Sequence, residues 1–82
     1  MNDRAESLTP REYALAAELA THQGEVLSRT RLLEAVWGSE FEGHANVVDV
    51  YVGYLRAKLE RLAPEGVRIE AVRGVGYRLV AP

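Results

Sequence analysis

Hydrophobic residues recur along this chain in distinct rhythms, and each rhythm predicts an element. From Tyr13, the apolar positions Leu15, Ala16, Leu19 and Ala20 follow at helical spacing to about Thr21. Thr9-Pro10-Arg11-Glu12 supplies the start of that helix: Thr9 caps, Pro10 fits the first turn, and Glu12 closes a capping box. Gln23-Gly24 ends it, with Gly24 suited to a left-handed C-cap position. Val26-Leu27 is long enough only for a stub of strand. Ser28 caps a second helix in which Leu32, Leu33, Val36 and Trp37 face inward, and Gly38 stops it. A loop from Ser39 to Ala45 follows, with Phe41 at its centre. A third, longer helix covers 46–62, capped by Asn46, with Asp49 facing the exposed amides and the positive end of the dipole. Pro64-Glu65-Gly66 turns the chain. Val67 to Arg73 then alternates as a strand with Val67, Ile69 and Ala71 on one face, Gly74-Val75-Gly76 turns, and Tyr77 to Val80 returns. The expected class is mostly α with small β: three helices plus a C-terminal β-hairpin over residues 8–82, behind a polar segment 1–7 that is expected to fray.

The third helix has two usable faces. At about 100° per residue, Val48, Val52, Leu55, Leu59 and Leu62 fall on one narrow arc, the core face. Opposite lie Asn46, Val50, Gly53, Ala57 and Arg61, with Val47 and Tyr54 beside them. A solvated helix puts charges there; this one puts small and apolar groups. Gly53 lowers helix stability by about 1 kcal/mol relative to alanine, which points to close approach of something to that face. Two readings stand. The face docks another protein or a second copy, or it enters a DNA major groove. In a groove, valine methyls meet thymine methyls, Asn46 bonds adenine edges or phosphate, and Tyr54 donates to either. Arg56 and Lys58 flank the outer face on opposite sides, where they are either solvated or in reach of phosphates on the groove walls.

The hairpin favours the second reading. Arg73-Gly74-Val75-Gly76-Tyr77-Arg78 is not a dinucleotide fingerprint, because Leu79 stands where the third glycine belongs. The glycines are expected to serve the turn, and Arg73 at the hairpin base becomes a candidate for a minor-groove or backbone contact. Tyr77 is either core packing or a hydroxyl for phosphate. Trp37 is expected mainly in the core, with its indole N–H available to a phosphate. A helix with contact chemistry on its outer side, next to a glycine-tipped hairpin, is the layout of a winged helix-turn-helix DNA reader.

Composition narrows the alternatives. At 82 residues, with 48% hydrophobic residues, the chain has one small core. No cysteine is present, which removes disulfides and cysteine-based zinc sites, and His22 and His44 have no partner at metal-ligand spacing. No metal, cofactor or small-molecule ligand is expected. His22 and Ser28 match no nucleophile arrangement, so no enzyme is expected either. No apolar run approaches a membrane span of roughly 20 residues, and no signal-peptide pattern opens the chain, so the expected location is cytoplasmic. The net charge of −2 opposes nucleic-acid binding, but it is unevenly spread. Residues 1–43 hold four arginines against eight carboxylates, net −4; residues 44–82 hold six basic residues against four acidic ones, net +2. The positive excess lies in the half that carries the outer helix face and the hairpin.

The chain resembles the winged-helix output domain of OmpR/PhoB-type response regulators. The resemblance rests on Leu8-Thr9-Pro10-Arg11-Glu12-Tyr13, Val26-Leu27-Ser28-Arg29 and Leu32-Leu33-Glu34-Ala35-Val36-Trp37-Gly38. It rests further on Asn46-Val47-Val48-Asp49-Val50-Tyr51-Val52 with Leu55-Arg56-Ala57-Lys58-Leu59, and on Val72-Arg73-Gly74-Val75-Gly76-Tyr77-Arg78. It implies a transcription factor that binds double-stranded DNA at tandem half-sites, commonly as a head-to-tail pair. It implies that Asn46, Val47, Val50, Tyr51, Gly53, Tyr54 and Arg56 face DNA from the helix, and that Trp37, Arg73, Gly74 and Tyr77 meet backbone or minor groove. It also implies that the loop containing Ser39, Glu40, Phe41, Glu42, Gly43 and His44 faces RNA polymerase. Many members carry arginines where this chain has Gly53-Tyr54, so guanine reading by that pair is not expected. The family's receiver domain and N-terminal four-stranded sheet have no counterpart in these residues. No phosphoacceptor aspartate is therefore expected, and modest stability is.

Overall fold

In the computed structural model, the described residues are 8–38, 43–62 and 66–81, and all that follows concerns these. The elements run α1 (Pro10–Thr21), β1 (Leu27–Ser28), α2 (Arg29–Trp37), α3 (Asn46–Leu62), β2 (Arg68–Val72) and β3 (Gly76–Val80). The strands form one antiparallel sheet in the order β1-β3-β2. The three helices and this small sheet make the winged-helix fold.

Local chemistry sets the boundaries of α1 and α2. Thr9 accepts from the Glu12 amide, and the Glu12 carboxylate accepts from the Thr9 amide, which completes the capping box with Pro10 in the first turn. Ser28 accepts from the Arg31 amide at the head of α2, and Gly38, at φ +94°, ends that helix. The first helix ends at Thr21 as expected, but its C-cap is His22, with φ −114°, and not Gly24. Gly24 takes its positive φ two residues later, in a turn whose amide donates to the Leu79 carbonyl of β3. At the head of α3, Asn46 is itself the first helical residue rather than the cap, because the turn has already formed at Ala45, whose carbonyl accepts from the Val48 amide.

The core gathers Leu15 and Leu19 of α1, Leu27 of β1, Leu32 of α2, Val48, Val52 and Leu55 of α3, and Ile69 and Tyr77 of the hairpin. Four residues expected inside lie outside it. Tyr13 is 65% exposed and Ala20 is exposed, because α1 turns Glu12, Leu15 and Leu19 inward and leaves that flank uncovered. Leu62 is 49% exposed, since a 17-residue helix of about 26 Å outruns so small a core. Ala71 is exposed because β2 carries it out toward the hairpin tip.

Candidate nucleic-acid interface

Helical periodicity places Asn46, Val50, Gly53, Tyr54, Ala57 and Arg61 on the solvent side of α3, and all are exposed. Val47 and Tyr51 are half-buried and pack against the core. From Tyr51 an aromatic row runs both ways: its ring meets Trp37 edge-to-face with centroids 5.2 Å apart, and Tyr54 edge-to-face at 5.5 Å. Trp37 is half-buried, with the Arg11 guanidinium 5.3 Å above its ring. The row stiffens the outer face from beneath while leaving Tyr54 in solvent. A Cβ added at Gly53 meets nothing within 4 Å, so no neighbour among the described residues requires glycine there.

The hairpin closes through a three-residue turn. Val72 pairs with Gly76, the Val75 amide donates to the Val72 carbonyl, and Gly74 adopts φ +76°. Gly76 has a different task from the turn-forming one expected of it. It lies in β3 opposite Ser28, where a Cβ would stand 2.0 Å from the Leu27 carbonyl oxygen. Glycine at 76 is therefore demanded by the close approach of β1.

The turn end of the hairpin is fastened to the helices through Tyr77. Its ring is buried, with the Arg29 guanidinium 5.7 Å and the Arg56 guanidinium 5.9 Å from the ring centroid. Its hydroxyl donates to Asp49 Oδ1, and the same oxygen accepts from Arg29 Nε at 2.8 Å. Burial raises the Asp49 pKa, but the hydrogen bonds from Tyr77 and Arg29 outweigh it and hold the carboxyl below the usual aspartate range. Burial and the Asp49 carboxylate push the Tyr77 phenol up, and the bond to Asp49 lifts Arg29. Asp49 is thus more than a helix-start residue.

The cations differ in what they are free to do. Arg68 and Arg78 both bond Glu70, at 3.1 and 2.9 Å, and hydrogen bonding from Arg78 is the main cause that holds the Glu70 carboxyl low. Arg31 meets His22 at 3.1 Å and Glu18 at 3.9 Å. Lys58 reaches inward to the buried Glu12 carboxylate at 2.7 Å. Burial opposes ionisation of Glu12, yet the Lys58 and Thr9 bonds prevail and lower its pKa. Arg56 donates from Nε to the Ile69 carbonyl at 3.1 Å, so its partners are neutral and its charge stays uncompensated. Arg73, exposed in the turn, is the one arginine or lysine among the described residues with no side-chain partner.

Residues 3–79 match the family described as "Transcriptional regulatory protein, C terminal". The chain belongs to this family, the winged-helix DNA-binding domain of OmpR/PhoB-type response regulators. The family is a DNA-binding domain of transcription regulators. Among its relatives, transcriptional regulatory protein PrrA of Mycobacterium leprae is 56% identical over 73 residues, which cover 88% of this chain and 30% of the relative. The chain spans about a third of the length of the curated relatives it matches. Two solved structures were determined with DNA. The Klebsiella pneumoniae RstA DNA-binding domain, in complex with the RstA box, is 36% identical with a TM-score of 0.75 over 90% of this chain and 73% of its own. The AdeR DNA-binding domain, in complex with an intercistronic region, is 31% identical with a TM-score of 0.79 over 92% and 74% respectively.

In this OmpR/PhoB-type domain the residues singled out from sequence divide into groups. Asn46, Val47, Val50, Tyr51, Gly53, Tyr54 and Arg56 share the outer side or shoulder of α3, and Arg73 and Gly74 sit in the turn of the hairpin. Lys58 and Tyr77 are engaged inside the domain. A phenol has one proton to give, so Tyr77 must release Asp49 before it can donate to a phosphate. Of the polymerase-facing loop, Gly43 and His44 are exposed, and Ser39, Glu40, Phe41 and Glu42 lie outside the described residues. The fraying expected of residues 1–7 and the turn at Pro64-Glu65 also fall outside them. Sequence reasoning missed Arg29 and the anchoring role of Asp49. Their contacts span 20 and 28 positions, and no local spacing signals them. No described helix is long and apolar enough to cross a membrane. No described group of three or more His, Cys, Asp or Glu residues could hold a metal ion.

Proposed function

We propose that this chain regulates transcription by sequence-specific binding of duplex DNA, with α3 in the major groove and the β2–β3 hairpin over the adjacent backbone or minor groove. The observation that carries this reading is the outer face of α3. It is small and apolar and includes a glycine that no described neighbour requires, while the hairpin turn carries an arginine without an intramolecular partner among the described residues. Val50 and Val47 offer methyls to thymine, Asn46 offers an amide to adenine or phosphate, and Tyr54 a hydroxyl to either. Gly53 lets the groove floor approach the helix backbone. Arg73 enters the minor groove or grips a phosphate, and Arg56 neutralises a phosphate on the wall.

Binding takes place in the cytoplasm, on tandem half-sites occupied head to tail by two copies, with the loop at 39–44 turned toward RNA polymerase. A single domain of residues 8–82 does this work, and neither a cofactor nor a small-molecule ligand takes part. The second reading, a protein-docking face of Val47, Val50 and Tyr54, draws on the 45% and 53% exposure of Val50 and Tyr54. An amide-resolved NMR titration with a generic duplex at low salt separates the two. Shifts confined to Asn46–Lys58 and Arg73–Tyr77 are expected; an unperturbed spectrum at high DNA concentration rejects groove reading. In the same assay Arg73→Ala weakens binding by about 1–3 kcal/mol, whereas an apolar docking face is left intact.

A further inference from the structure

We propose that Asp49 is a positioning residue that locks the hairpin to the reading helix, so that Arg73 and the outer face of α3 address one duplex at a fixed separation. The proposal rests on the DNA-binding reading above and assigns a device to it.

The hairpin needs such a lock. Two strands of five residues are marginal alone, and β1 adds only two pairings, Leu27 to Tyr77 and Ser28 to Gly76. The outer strand β2 pairs with β3, buries Ile69 in the core and receives one hydrogen bond from the middle of α3, Arg56 to the Ile69 carbonyl, while β3 accepts the Gly24 amide at Leu79. None of these hydrogen bonds reaches the first turn of α3, which carries Asn46 and leads directly into Val50. The Tyr77–Asp49 bond does. It joins the strand residue opposite Ala71 to the turn of α3 that lies between Asn46 and Val50. From Ala71 to Arg73 is two residues, about 7 Å of chain at most, so the Tyr77 anchor sits directly under the turn that carries the arginine. Arg29, from the first residue of α2, shares Asp49 Oδ1 and flanks the Tyr77 ring, which ties a third element to the same oxygen. Asp49 therefore belongs to the site although it lies on the helix flank and contacts no DNA in the proposed pose.

The test is a double-mutant cycle between residues that do not touch. Affinities are measured by fluorescence anisotropy for a labelled duplex recovered by the wild-type chain from a random-sequence pool. Wild type, Arg73→Ala, Asp49→Asn and the double variant are compared, alongside Tyr77→Phe and its Arg73→Ala partner. Tyr77→Phe keeps the buried ring between both guanidiniums and removes only the hydroxyl, so it serves if Asp49→Asn does not fold. Arg73→Ala is expected to weaken binding about tenfold in the wild-type background and less than about twofold where Asp49 or the Tyr77 hydroxyl is gone, because a loosened hairpin no longer delivers the arginine. In the same Tyr77→Phe chain without DNA, heteronuclear NOEs at Arg73–Val75 are expected to fall while those of Val52 and Leu55 hold. A tenfold loss in every background, or unchanged NOEs at the tip, overturns the lock. If Arg73→Ala has no effect even in wild type, the wing contact itself is wrong. The NOEs then decide the anchor by themselves: a fall at the tip supports it, and unchanged values overturn it.

Discussion

Gly53 and Gly76 count alike in composition, yet they hold their places for opposite reasons. Gly76 is fixed by the interior: the Leu27 carbonyl occupies the space of a side chain. Gly76→Ala is expected to destabilise the domain by about 3 kcal/mol or more, the upper end of overpacking, because backbone rather than a flexible side chain must move. A urea midpoint within error of wild type would show that β1 can shift freely. Gly53 faces open space, so Gly53→Ala is expected to raise stability by about 1 kcal/mol through helix propensity alone. The same substitution should weaken DNA binding if the groove floor approaches that position. A variant that gains stability and keeps full DNA affinity would remove Gly53 from the interface. These two substitutions ask of each residue whether the fold or the ligand selected it.

Elements are held to one another by a few charged contacts that serve more than one element at once. Glu12 completes the capping box of α1 and accepts Lys58 of α3, so the start of one helix is fastened to the middle of another. Its pKa is lowered in the folded chain, and a lowered carboxyl stabilises the fold wherever it is ionised in both states. That contribution is full above the ordinary glutamate range and is lost as the pH falls through the lowered folded value. The stability difference between wild type and Glu12→Gln, from urea unfolding, is accordingly expected to be largest at neutral pH and to shrink below the ordinary glutamate range. A difference that grows on acidification would reverse the assignment. Lys58 contributes to this link first, which explains why a residue expected on a groove wall turns inward. Asp49 plays the corresponding part for α2, α3 and the hairpin.

For the whole molecule, charge is arranged rather than abundant. The net charge is −2, and most cations among the described residues meet carboxylates, whereas Arg11 and Arg56 meet only neutral groups and Arg73 in the hairpin turn meets none. With so few unpaired cations, few phosphates are expected to be neutralised per copy, so the slope of log affinity against log salt is expected to be shallow, roughly −2 to −4, and Arg73→Ala should reduce it by about 1. A slope near zero in anisotropy titrations would favour the apolar docking reading. The order of elements, the capping box, the two faces of α3 and the presence of a hairpin were legible in the sequence, because periodicity, caps and turns are set by residues within about four positions of each other. The family followed from the same local stretches. What neighbours four positions away do not determine was decided by the fold: that α1 buries Glu12 and exposes Tyr13, that Lys58 and Tyr77 are spent inside the domain, and that Gly76 answers to β1. The clustering of Arg29, Asp49 and Tyr77 belongs with these, since an ion pair or a close approach between distant segments depends on how helices and strands pack, and packing is fixed only when the whole chain closes on one core.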